Sequence, residues 1–157
     1  MQVFRISIAQ FANQLIASGA ENRWNKRGQF VIYTCGSRSL STLELIVHRG
    51  YIKPAVNYKV MVIYFPDDDN LVKQVFINEL PNNWRTTLAY PTLQNIGGLW
   101  YNNQETLILK VPSAVIPLEH NYIINTKHPD FNNVQLIHTE EYFWDDRLFP
   151  PPVFGII

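Results

Sequence analysis

Apolar and polar positions alternate over several short stretches of the chain. "VFRISI" at 3–8 sets them two residues apart, the period of a half-buried strand. "QFVIYT", "YKVMVIYF", "LVKQVFINEL", "TLILKVP", "NYIIN" and "NVQLIHTEEYF" predict further strands, with "PDDDN" as the turn between the third and fourth and "SAVIPLEH" as a later turn. Two stretches have helical spacing instead. "SRSLSTLELIVHRG" places Leu40, Leu43 and Val47 one turn apart, begins on serines and meets Gly50 just past its end. "PTLQNIGGLWYNN" predicts a second helix, whose Gly97 and Gly98 permit close packing. "AQFANQLIA" predicts a short third one, stopped near Gly19. The tail "LFPPPVFGII" cannot continue as regular helix, because three successive prolines lack N–H donors and clash with the preceding turn. Strands outnumber helices and no βαβ unit repeats, so the expected class is α+β, one compact domain of mixed strands and short helices over 1–157.

Size and charge narrow the function. A chain of 157 residues, 46% hydrophobic with four Trp, eight Tyr and nine Phe, fills one core but hardly two. Thirteen basic and thirteen acidic side chains cancel, so the surplus of cations that nucleic-acid binding needs is missing. Cys35 is alone, which excludes an intramolecular disulfide and a cysteine zinc site. His48, His120, His128 and His138 are scattered without metal-like spacing, and no metal is expected. "MQVFRISIAQ" lacks the pattern of a secretory signal, and no apolar run approaches the roughly 20 residues that cross a bilayer. A reducing cytoplasm, without membrane contact, is the expected setting.

Four polar residues carry chemistry only when taken together. Glu44 lies on the edge of an apolar helical stripe, where a carboxylate must be paired, solvated or used; its ordinary role is a boundary pair with an arginine. Arg23, before Trp24 and Asn25, is ordinarily a stacked surface Arg–Trp pair, but its planar fork also suits phosphate or carboxylate. Tyr33 at a strand end is ordinarily core-lining, and Ser113 after Pro112 an ordinary turn residue. No dinucleotide glycine fingerprint, P-loop, HExxH or GxSxG is present.

Their order resembles a known family. "RWN" followed by Gly28, "VIYT" and a helix ending "LELIVH", then "LPNNW", "QNIGGLW", "VPSAVIPLEHNYIIN" and "HPD", are similar to the RES domain, the toxin half of bacterial RES–Xre toxin–antitoxin pairs. The resemblance runs from "VFRI" to "DDRLF". It matches Arg23, Glu44 and Ser113 to the arginine, glutamate and serine that name the family, and Tyr33 to a tyrosine of the same site. Two departures from the pattern stand out: Glu21 and Asn22 stand where glycines usually precede "RWN", and Gly98 stands where an acidic residue commonly follows "IG".

The resemblance implies a fold like that of ADP-ribosyltransferases and cleavage of the nicotinamide–ribose bond of NAD, by hydrolysis or phosphorolysis. NAD is then a substrate and no cofactor is expected. Nicotinamide leaves as a neutral base, so the developing charge is an oxocarbenium-like ribose that a fixed carboxylate stabilises. Glu44 is expected in that role, Arg23 on the pyrophosphate, and Tyr33 stacked on nicotinamide with its hydroxyl free. Ser113 is expected to hold a ribose hydroxyl or phosphate oxygen, with Asn25 and Asn121 as amide contacts. The implied partner is a helical Xre-type antitoxin covering the site, and the apolar tail and aromatic content are compatible with homo-oligomers in that complex. Transfer of ADP-ribose to a protein, and a silent antitoxin-binding module, are the alternatives.

Overall fold

The computed structural model describes residues 1–149. Seven strands form one sheet: β1 (Gln2–Ile8), β2 (Val31–Cys35), β3 (Tyr58–Tyr64), β4 (Val72–Gln74), β5 (Ile108–Pro112), β6 (His120–Asn125) and β7 (Gln135–Tyr142). Their order is β4-β5-β6-β2-β1-β3-β7, antiparallel except for the β4–β5 pair. This is the α+β arrangement that the strand-rich pattern predicts. The ladder narrows sharply in the middle. β1 and β2 are joined at Phe4–Cys35, whereas β1–β3 runs through seven pairs from Gln2–Tyr64 to Ile8–Tyr58.

Each face of the sheet carries its own core. One buries Val3, Ile32, Met61, Ile63, Ile108 and Ile124. The other buries Val31, Leu109, Val111 and Ile123 against Trp24, Leu93 and Trp100. Two helices cover this second face, α1 (Arg38–His48) and α2 (Tyr90–Asn103). Ser37 caps α1 by accepting from the Leu40 N–H at 3.1 Å, which satisfies one of the donors orphaned at a helix start. The helix is pinned to β1 by the buried Ser41, whose hydroxyl donates to the Phe4 carbonyl at 3.0 Å.

Two expected elements differ. Residues 9–17 are not a helix: only Ala9–Phe11 form a 3-10 turn. From Leu15 to Gly19 the chain is half-buried or buried at every second residue, so an extended path buries Leu15 and Ala17 better than helical spacing would. The strand expected over 71–80 ends at Gln74, because Glu79 turns back to accept the Phe76 N–H at 2.7 Å and closes a 3-10 turn over Ile77–Glu79. The triple-proline segment beginning at Pro150 lies outside the described residues. Among those described, no helix is long and apolar enough to cross a membrane.

Candidate active site

Glu44 sits mid-way along α1, one turn beyond the buried Leu40. Its Oε1 accepts two hydrogen bonds, from the Ser113 hydroxyl at 2.8 Å and from Asn121 Nδ2 at 2.7 Å. The arginine partner that an ordinary boundary glutamate would have is missing: among the described residues no cation forms an ion pair with Glu44, and Oε2 takes no hydrogen bond. One oxygen is held and the other is uncommitted.

Ser113 is fully buried at the end of β5. Its Oγ accepts the N–H groups of Val115 and Ile116, both at 3.0 Å, so the hydroxyl proton is directed at Glu44. From the chain alone Ser113 is expected to hold a ribose hydroxyl or a phosphate; here its Oγ closes its own turn and its proton goes to the carboxylate. Asn121 is the second residue of β6, opposite Cys35 of β2. Its amide orientation follows from the chemistry, since the flipped rotamer would set Oδ1 against the carboxylate oxygen. Oδ1 is buried without a hydrogen-bond partner among the described residues.

Tyr33 belongs to the same row. It pairs with Ile123 while Cys35 pairs with Asn121, so Tyr33 and Asn121 are diagonal neighbours on one face, roughly 7–8 Å apart by sheet geometry. The tyrosine hydroxyl, expected to be free in the role assigned to it, is engaged here. It donates to Asn25 Oδ1 at 2.8 Å and accepts the Trp24 N–H at 3.1 Å. Burial raises the phenol well above its ordinary range, and the Trp24 N–H opposes that only in part. Asn25 is likewise withdrawn from any substrate contact. It is buried, and its Nδ2 donates to the carbonyls of Ala20, Lys26 and Gln29 at 2.8, 3.1 and 3.3 Å. Asn25 therefore builds the loop that carries Arg23.

Arg23 stacks on Tyr90, 5.0 Å from the ring centre, while Trp24 is buried in the core; the surface Arg–Trp pair does not form. One Nη donates to the Trp84 carbonyl at 2.8 Å and to the Thr86 carbonyl at 3.5 Å. Arg23 has no carboxylate partner among the described residues and keeps donors for an anion. The neighbouring Asn22 shapes this loop, its side chain accepting the Arg23 N–H at 2.8 Å where the family pattern has glycine.

Trp84, Thr86 and Tyr90 are supports that sequence reasoning missed; only the "LPNNW" landmark pointed near them. Beneath the row, burial pushes the Cys35 thiol up to about 12, with Ser41 opposing and the Glu44 charge adding to the rise. Among the described residues no three His, Cys, Asp or Glu side chains gather as a metal would require. A surface hollow of about 400 Å³, lined by Val75, Phe76, Pro112, Leu118 and His120, lies at the β4–β5 edge and does not include Glu44.

With this geometry in place the comparisons are specific. A family model described as "RES domain" matches residues 2–145. The chain belongs to the RES-domain family. A protein named "Prs ADP-ribosylating toxin" from Sphingobium sp. (strain YBL2) is 30% identical over 141 residues, 87% of this chain and 88% of that one. "Toxin Res" of Yersinia enterocolitica is 30% identical over 153 residues, covering 94% of this chain and 99% of its own. In three dimensions the RES fold here is similar to a chain in the crystal structure of the M. tuberculosis MbcT–MbcA toxin–antitoxin complex. The TM-score is 0.73 at 16% identity, over 90% of this chain and 83% of that chain. The single α+β domain expected from the chain is the fold shared with this neighbour.

Proposed function

We propose that this RES-domain chain is the toxin of a toxin–antitoxin pair and that it cleaves the bond between nicotinamide and ribose in NAD. The observation that carries the reading is the state of Glu44. A carboxylate without a cation partner is held by two neutral donors on one oxygen and presents the other. That arrangement costs desolvation and orders a side chain, and it returns a fixed negative charge of the kind that stabilises an oxocarbenium-like ribose. The C–N bond breaks with its electron pair leaving on nicotinamide. The ribosyl carbon is then captured by water, giving ADP-ribose and a proton, or by phosphate, giving ADP-ribose 1-phosphate.

Arg23 supplies anion-directed donors for the pyrophosphate, and the Tyr33 ring supplies an apolar surface for the pyridine. Ser113 and Asn121 act through Glu44. The related ADP-ribosylating toxin supports a second acceptor, a protein side chain, by the same first step. The antitoxin reading is supported by likeness to a chain of a toxin–antitoxin complex and by apolar side chains left in water near the row. Leu118, in the loop after Ser113, is 89% exposed, and Leu88, close to Thr86, is 81% exposed. A helical Xre-type partner laid over these residues would bury them and close the site.

Mass spectrometry of NAD incubated with the purified chain tests the reaction. Free nicotinamide with ADP-ribose, or with its 1-phosphate when phosphate is present, is the expected result; labelled protein would move the assignment to transfer. Intact NAD after exposure to antitoxin-free chain, with and without phosphate and lysate, overturns it.

A further inference from the structure

A second arginine stands on the turn that Arg23 holds. Trp84 fixes this turn, its ring buried in the core that α2 covers. The turn closes through main chain: the Trp84 N–H donates to the Pro81 carbonyl and the Thr86 N–H to the Asn83 carbonyl, both at 2.9 Å. Arg85 emerges at the surface between the Trp84 and Thr86 carbonyls, which Arg23 Nη1 contacts at 2.8 and 3.5 Å. Its own Nε donates to the Ala114 carbonyl at 2.8 Å, and Ala114 directly follows the Ser113 that holds Glu44. One turn thus links two guanidiniums to each other and to the loop beside the carboxylate.

Neither guanidinium forms an ion pair with a carboxylate among the described residues. Each keeps a face with two nitrogens. Arg23 spends Nη1 and retains the Nε–Nη2 side of its fork, whereas Arg85 spends Nε and retains the Nη1–Nη2 end. Either face matches a pair of oxygens on one phosphate. Two cations brought to the same turn also repel, and arginine cannot escape by losing its proton, so the arrangement favours an anion with two charges. A brace for the Ala114 carbonyl alone would need one donor and no charge.

We propose that Arg85 is a second pyrophosphate-binding residue, holding one phosphate of NAD while Arg23 holds the other. The assignment rests on NAD as the substrate and deepens that reading. Each phosphate of the pyrophosphate carries one negative charge, so Arg23 alone leaves the second without a counter-charge. The pyrophosphate is unchanged between ground state and transition state, which puts the contribution of Arg85 in KM. A residue that merely braced the Ser113 loop would act through Glu44 and show itself in kcat.

Steady-state nicotinamide release by wild type, Arg85→Gln and Arg85→Lys tests it. Arg85→Gln is expected to raise KM for NAD at least tenfold while kcat stays within about twofold. Arg85→Lys keeps the charge without the fork; its KM is expected to rise less, and it decides the matter if the glutamine variant does not fold. Inorganic pyrophosphate should compete with NAD on wild type, and at least tenfold more weakly on Arg85→Gln. The response to added inorganic phosphate should be the same in all three proteins. Unchanged KM, a fall in kcat alone, or pyrophosphate that does not compete overturns the proposal. So does a loss confined to the response to inorganic phosphate, which would make Arg85 the seat of an acceptor. If wild type leaves NAD intact, the reaction itself is refuted, and calorimetry with ADP-ribose judges the residue. At least tenfold weaker binding to Arg85→Gln then supports it, and equal or absent binding overturns it.

Discussion

Substituting Gly97 tests whether α2 and the Arg23 loop are in backbone contact. In an exposed helix, Gly→Ala stabilises by about 1 kcal/mol, since alanine has less backbone entropy to lose. At Gly97 the added Cβ would stand 1.9 Å from the Trp24 carbonyl oxygen and 2.9 Å from its carbon. Real Cβ contacts essentially never fall below 3.0 Å, so helix and loop must part by at least about 1 Å. The obstacle is main chain on both sides and cannot rotate away. Overpacking costs typically about 1–3 kcal/mol, and with main chain on both sides the upper part of that range, about 2–3 kcal/mol, applies. Set against the helical gain, Gly97→Ala is expected to destabilise by about 1–2 kcal/mol. At this chain length that lowers Tm by roughly 2–8 °C. Gly98→Ala is the internal control: its Cβ meets the Gln29 side-chain amide at 3.1 Å, a group able to shift, so it is expected to lie near neutral. Thermal unfolding of the three proteins under one buffer reads the difference. A Gly97→Ala variant as stable as wild type, or more so, refutes the contact and with it the packing of the Arg23 loop against α2.

Other substitutions separate support from substrate contact. Ser113→Ala strands the Val115 and Ile116 N–H groups and frees Glu44, so urea unfolding should show a loss of about 2–3 kcal/mol. Nicotinamide release should lose kcat with KM little changed, whereas a KM rise alone would return Ser113 to the substrate. Tyr33→Phe removes the bridge between Trp24 and Asn25 and should cost about 1–3 kcal/mol while sparing KM for NAD; unchanged stability with a raised KM contradicts this. For Cys35, the folded thiol is raised to about 12 from the ordinary 9.0. A raised acid stabilises the fold below its unfolded value, and that contribution fades as pH climbs from 9 towards 12, at about 1.4 kcal/mol per pH unit for one proton. Cys35→Ala should flatten stability against pH by that amount in this window. Coincident slopes for variant and wild type refute it.

Both helices on the Glu44 face were legible in the chain, because the Ser37 start, Gly50 stop and apolar spacing of α1 all agree with one another. Glu44 could be singled out for the same reason: it is the lone carboxylate among Leu43, Leu45, Ile46 and Val47. What holds Glu44 was not legible. Ser113 and Asn121 are 69 and 77 residues away, and only the β5–β6 register brings them under α1. The bond between Tyr33 and Asn25, eight residues apart, was not legible either, although the ordinary core-lining reading of Tyr33 agrees with it. The segment after β1 failed for a related reason. Its residues suit a short helix in isolation, but the sheet face beneath offers more burial to an extended path.

The most direct measurement is the rate of nicotinamide release by Glu44→Gln beside wild type. Glutamine retains an oxygen able to accept from Ser113 and Asn121, so the fold and Tm should be kept while the charge is lost. The rate is expected to fall by about 10²–10³ or more, the scale of losing one preorganised electrostatic contact. A folded Glu44→Gln protein that releases nicotinamide from NAD as fast as wild type would contradict the central claim.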